Sequence, residues 1–197
     1  MHEMKHSTTH HIALLRGINV GGKNLIPMAE LRELCQTLGW SNLQTYIQSG
    51  NIVFTAGGTG DELEAALEGA IQERFHLAVP VIVRSSMQWQ KLAKTSAFPE
   101  AIAKEPQLVL LALSKQKPSA AASAALQERA KDGERLHQEG DALWIYFPNG
   151  SGRSKLTPAL LDRHFGSPVT TRNFRTVQKL AEMSLAGGES SDEIVVV

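Results

Sequence analysis

Four polar segments hold most of the residues in this chain that could do chemistry. The first, Arg16-Gly-Ile-Asn-Val-Gly-Gly-Lys-Asn24, sets two cations and two asparagines on a loop with three glycines. The second is Gln48-Ser49-Gly50-Asn51, the third Asn149-Gly-Ser-Gly-Arg-Ser-Lys155, and the fourth Thr170-Thr171-Arg172-Asn173, followed by Arg175 and Thr176. From Pro148 to Thr176 there are five Lys or Arg against one acid, Asp162, although the whole chain balances 20 basic against 20 acidic residues. The chemistry this suits is anion binding, because backbone N–H groups at helix starts favour negative charge and nearby cations strengthen the preference. Arg16, Lys23, Arg153, Lys155, Arg172 and Arg175 would supply charge, and Asn19, Gln48, Asn51 and Asn173 directional hydrogen bonds. Gly21, Gly22, Ser49 and Ser154 complete the candidate set, with the Gly152–Lys155 turn its strongest member. The competing reading is ordinary turns with solvated cations.

Other chemistry finds little support. Gly17, four residues, then Gly22-Lys23 is close to a phosphate-binding P-loop after a strand, but Asn24 stands where Ser or Thr must hold Mg²⁺. The following helix also starts too late, near Pro27. No nucleophile–base pair is visible: His76, His137 and His164 stand alone. Cys35 falls on an apolar helical face, and Trp40, Trp89 and Trp144 suit the core. The polar loops lack paired carboxylates. His2, His6 and His10 would share a helical face, but nothing nearby favours a helix and no further ligand joins them. Neither a metal nor a cofactor is expected.

The elements that must position these loops follow from periodicity. His11 to Arg16 is apolar without alternation, as in a strand covered on both faces. A helix starting near Pro27 places Met28, Leu31, Leu34, Cys35 and Leu38 at helical spacing and ends at Gly39. A hairpin turns at Ser49-Gly50, and a helix runs over 61–75 with Gly60 or Asp61 as its cap. A strand over 79–84 follows, whose Pro80 marks a strand end or sheet edge. After a connecting helix over 87–94 and a Pro-flanked loop, the order repeats. It gives a strand over 108–113, a helix over 119–130, a hairpin turning at Gly140-Asp141, a helix over 156–165, a short strand over 169–171 and a last helix over 174–184. The hairpin glycines Gly50 and Gly140 lie 90 residues apart. The expected fold is α+β, two ferredoxin-like βαββαβ subdomains related by internal duplication. The expected organisation is a flexible N-terminus 1–10, a first subdomain 11–86, a connector 87–106, a second subdomain with its C-terminal helix 107–184, and a flexible tail 185–197 whose residues 194–197 could form an edge strand.

With 197 residues, 42% of them hydrophobic, the chain can bury a substantial core. Zero formal net charge argues against a surface coated for bulk nucleic-acid binding. The absence of an apolar run of bilayer length argues against a membrane span. With Cys35 alone, no intrachain disulfide can form, and the expectation is a soluble cytoplasmic protein.

Several stretches taken together resemble a bacterial family, the domain of unknown function 1697. They are Ala13-Leu-Leu-Arg-Gly-Ile-Asn-Val-Gly-Gly-Lys-Asn24, Pro27-Met-Ala-Glu-Leu31, Thr45-Tyr-Ile-Gln-Ser-Gly-Asn51, Gly152-Arg-Ser-Lys-Leu-Thr157 and Thr171-Arg-Asn-Phe-Arg-Thr-Val177. The likeness runs in order from His11 to Met183, with Phe174 where the family leads one to expect tryptophan. It implies an α+β fold of two related subdomains and no assigned activity or catalytic residue. The leading functional expectation is a binding module for an anionic ligand bearing phosphate, a nucleotide or a nucleic-acid segment. One alternative is an enzyme acting on a phosphorylated small molecule through electrostatic stabilisation by the same cations. The other is a structural or interaction protein in which the polar loops bridge the two halves, with Arg16 and Arg153 buried against carbonyls or acids so that their loss lowers stability instead of affinity. Oligomeric state is not readable from the sequence.

Overall fold

A computed structural model describes residues 8–95 and 97–186. Its first strand, β1 (Thr9–Leu15), explains its own unbroken apolar run. Ala13 and Leu15 pack on one side with Leu31, Cys35, Leu67 and Ile71, and Ile12 and Leu14 pack on the other with Trp89, Leu111 and Trp144. Helix α1 (Met28–Thr37), hairpin strands β2 (Ser41–Tyr46) and β3 (Asn51–Ala56), helix α2 (Gly60–Phe75) and strand β4 (Val81–Ser85) complete the first half. Its four strands lie in the order β2-β3-β1-β4, every neighbour antiparallel. Pro80 immediately precedes β4, the edge strand on that side, where its missing N–H leaves no ladder bond unmade.

Helices α3 (Ser86–Ala93) and α4 (Pro99–Lys104) connect the halves. The second helix was expected as loop; at six residues, opening on a proline, it is too short to show a period. The second half then runs β5 (Val109–Leu113), α5 (Ala120–Arg129), β6 (Arg135–Glu139), β7 (Ala142–Tyr146), α6 (Pro158–Phe165), β8 (Thr170–Asn173) and α7 (Phe174–Ala186). Its sheet order, β6-β7-β5-β8, repeats that of the first, again antiparallel throughout. This is the α+β arrangement of two ferredoxin-like βαββαβ halves. One core lies between α1, α2 and the first sheet, and another between α5, α6 and the second. The inner faces of both sheets share a third core with α3, α4 and α7.

Local corrections have local causes. The cap of α2 is Thr59, which makes a reciprocal capping box with Glu62, instead of Gly60 or Asp61. Strand β1 begins at Thr9, so Thr9 and His10 belong to the sheet, and His10 does not share a helical face with other histidines. His2, His6, most of the expected N-terminal segment and the expected strand over 194–197 lie outside the described residues. Trp40, Trp89 and Trp144 are buried, as is Cys35. No helix among the described residues is long and apolar enough to cross a membrane.

Candidate functional site

The loop after β1 folds back on itself, with Lys23 N–H donating to the Val20 carbonyl across Gly21-Gly22, both at positive φ. That turn, and the start of α1 at Met28, separate it from any P-loop geometry. Asn19, at φ +54°, holds the loop in place. Its Nδ2 donates to the carbonyls of Ile26 (2.9 Å) and Gln48 (3.0 Å), and its Oδ1 accepts from the Ile26 N–H. The hairpin turn below is fixed by Gly50, at φ +77°, where a Cβ would lie 2.7 Å from Leu15 Cβ. Only glycine fits there.

Between the halves lies a cleft of about 720 Å³. Arg16, Gly17, Val20, Ile47 and Ser49 line it from the first half, and Ser154, Thr157, Pro158, Thr171, Arg172 and Asn173 from the second. Leu110, Phe147, Leu156, Leu161 and Val169 form an apolar wall that the sequence reading did not include. Of the expected site residues, Arg16, Ser49, Ser154, Arg172 and Asn173 therefore share one cavity. Asn19 and Asn51 brace it through their side chains, and Gln48 through its backbone carbonyl. Lys23 and Lys155 are exposed and line none of the described hollows. Arg153 borders a separate hollow beside Asp132 and Glu134, and Arg175 a third depression with Tyr46 and Glu182. The charge of the third and fourth segments is thus dispersed, and the cleft gathers Arg16 and Arg172.

Arg172 is 8% exposed, and its guanidinium reaches across to the other half. Nε donates to Asn51 Oδ1; Nη1 donates to Thr170 Oγ1 and the Thr171 carbonyl; Nη2 donates to the carbonyls of Leu15, Ser49 and Gly50. All six acceptors are uncharged. Burial pulls its pKa down to about 10, which leaves it charged at neutral pH.

The first half contains the counterpart of this arrangement. Arg84 faces Ile12 of β1 as Arg172 faces Leu111 of β5. Arg84 Nη1 donates to the carbonyl of the preceding Val83, and Nη2 to the carbonyl of Ser114, just past β5, as Arg172 Nη2 does to Leu15 at the end of β1. Its Nε meets Asp141, the residue after the hairpin glycine Gly140, as Arg172 Nε meets Asn51 after Gly50. The next residue along each first strand, Lys115 or Arg16, pairs at 2.8 Å with an acid of the other half's second helix, Glu68 or Asp162. Those acids also accept from Val81 N–H and Val169 N–H respectively.

The two arrangements differ in charge. Around Arg84 and Lys115 stand three carboxylates: Asp141 at 2.8 Å, Glu68, and Glu64, which lies 3.9 Å from Arg84 and 3.7 Å from Lys115. Among the described residues, Asp162 alone stands with Arg172 and Arg16. Asn51 occupies the place of Asp141, and Pro158, four residues before Asp162, the place that Glu64 holds four residues before Glu68. Burial raises the pKa of Glu64, against the opposing pull of Val83 N–H, Lys115 and Arg84. The sequence carried one clue to this network, the isolation of Asp162 among five cations; the Arg84 counterpart gave none.

The architecture is not unique to this chain. A solved structure of a conserved bacterial protein from Streptococcus pneumoniae matches with a TM-score of 0.70 at 25% identity, over 90% of this chain and 99% of that one. No curated protein matches the sequence. Residues 8–144 match the family described as protein of unknown function DUF1697, and the chain belongs to that family.

Proposed function

We propose that the protein is a binding module for a small anionic ligand held in the cleft between its halves. The observation that carries this reading is the contrast between the two arginine networks. A buried guanidinium is stable when a carboxylate compensates it, and leaving one without such a partner is unfavourable by several kcal/mol. Arg84 has its carboxylates within the fold, whereas Arg172 borders a cavity open to a ligand. An anion in the cleft would restore the balance. Dispersal of Lys23, Arg153, Lys155 and Arg175 favours a small ligand over a nucleic-acid strand, which needs a continuous basic track. Among the described residues, no histidine, cysteine, aspartate or glutamate lines the cleft, which favours binding over acid–base turnover. The repeated strand order and the reciprocal arginines support descent of the two halves from a duplicated unit.

Asn51→Asp tests the reading by supplying Arg172 with the carboxylate its counterpart has. Calorimetric titration of the wild type with inorganic phosphate, simple carboxylates and nucleoside monophosphates should give saturable binding to at least one of them. Affinity for that anion should fall at least tenfold in Asn51→Asp, a change of about 1.4 kcal/mol. Absence of saturable binding to every anion, or unchanged affinity in the variant, refutes it.

A further inference from the structure

Resting on the anion reading, we infer that the ligand carries a single carboxylate on an apolar body, and that this carboxylate sits where the side chain of Glu64 sits in the other half. The protein holds its own worked example of the contact. Glu64 Oε1 accepts from Val83 N–H at 2.8 Å on the outer edge of β4, beside Arg84 and Lys115. The alternation of the ladder fixes which amides point outward: Val81 and Val83 N–H both leave the sheet to meet acids of α2. Arg172 takes the register of Arg84, and Val169 N–H meets Asp162 as Val81 N–H meets Glu68, so Thr171 N–H takes the outward direction of Val83 N–H. Thr171, Arg172 and Arg16 all border the cleft. Pro158, in the place of Glu64, has no side-chain acceptor to offer, and it too borders the cleft.

Charge and surface narrow the ligand class. Two cations against Asp162 leave an excess of one positive charge, which matches a monoanion and falls short of a polyphosphate. The cavity is far larger than a carboxylate, within the range that encloses a small organic molecule. Most of the remaining wall is apolar, with Phe147, Leu156 and Leu161 inside, and Val20 and Ile47, 60% and 52% exposed, at the mouth. An apolar body joined to the carboxylate would cover these side chains.

The test is titration with phenylacetate, its methyl ester and inorganic phosphate, followed by calorimetry and by ¹⁵N–¹H correlation spectra. The wild type should bind phenylacetate saturably, at least tenfold more tightly than the ester, with Thr171 N–H among the most shifted amides. Pro158→Glu builds the carboxylate into the fold and should reduce phenylacetate binding at least tenfold. Should that variant fail to fold, the wild-type spectra decide alone. Phosphate binding more tightly than phenylacetate overturns the carboxylate inference and leaves the anion reading standing. Equal binding of acid and ester, or an unshifted Thr171 amide, overturns it too. If neither phenylacetate nor phosphate binds, the carboxylate inference falls, and the anion reading falls with it once the other simple carboxylates and the nucleoside monophosphates fail as well.

Discussion

Replacing Arg172 with methionine should separate its two roles, as tie between the halves and as charge facing the cleft. Methionine matches the length of the aliphatic stem and removes every donor. The carbonyls of Leu15 and Ser49 and the Oδ1 of Asn51 then lose the guanidinium bonds they receive across the interface. The Gly50 carbonyl retains the Leu15 N–H at 2.8 Å, so it adds little to the loss. Two buried acceptors at ~1–3 kcal/mol each, with the half-buried Ser49 carbonyl adding less, give a gross penalty of about 3–8 kcal/mol. Relief of the desolvated guanidinium offsets part of that, and a net loss of about 3–5 kcal/mol is expected. Lysine at the same position keeps the charge but cannot span acceptors on both sides, so Arg172→Lys should recover less than half the loss. Urea unfolding at pH 7, with the slope checked for constancy, measures both variants. A loss below about 1 kcal/mol for Arg172→Met would mean that the carbonyl cage contributes little, and the interface would need another explanation.

Three further outcomes follow from local geometry. Gly50→Ala forces a Cβ against Leu15 at positive φ and should lower unfolding free energy by about 2–4 kcal/mol in the same assay; an unchanged midpoint refutes the close approach. Burial pushes the Cys35 thiol up to about 12, so at pH 8 it should react with a thiol reagent only as fast as the native state opens, and fast native labelling contradicts its placement. Burial by itself would raise the carboxyl pKa of Glu134, but hydrogen bonds from the Ser154 hydroxyl and Asp132 N–H outweigh it and hold the value low. The native state therefore binds fewer protons here than the unfolded chain, and the stabilisation is present above the ordinary carboxylate pKa and lost as pH falls through the lowered one. The gap in melting temperature between wild type and Glu134→Gln should be full above about pH 5 and shrink on acidification; a gap independent of pH refutes it.

The parts of the fold legible in the sequence were those where one segment reports on itself. The apolar run of β1 records cover on both faces, Gly39 and Gly166 mark helix ends, and the glycines of both hairpins locate their turns. The candidate site was legible in part. Arg16, Ser49 and Arg172 were singled out as charged or polar loop residues, and the cleft does collect them. Which cations stay outside depends on how β8 and α6 meet the first half, and a linear pattern holds no record of that. Arg153 and Arg172 look alike along the chain, yet one lies exposed beside Asp132 and Glu134 while the other is buried among carbonyls. The apolar wall escaped notice for the same reason, since Phe147 and Leu161 also pack in the core of the second half.

The reciprocity of Arg84 and Arg172 bears on how a ligand could enter. Two-lobed proteins often admit their cargo by swinging open about a hinge. Here each lobe grips the other through its own fourth strand, and α3 is stitched to α7 by Trp89 Nε1 donating to the Val177 carbonyl and Gln178 donating to the Ala93 carbonyl. A clamshell rotation would wrench two separate anchors at once. A ligand of the proposed kind would therefore have to enter past Val20 and Ile47, the exposed apolar side chains at the cleft, without a rotation of the lobes.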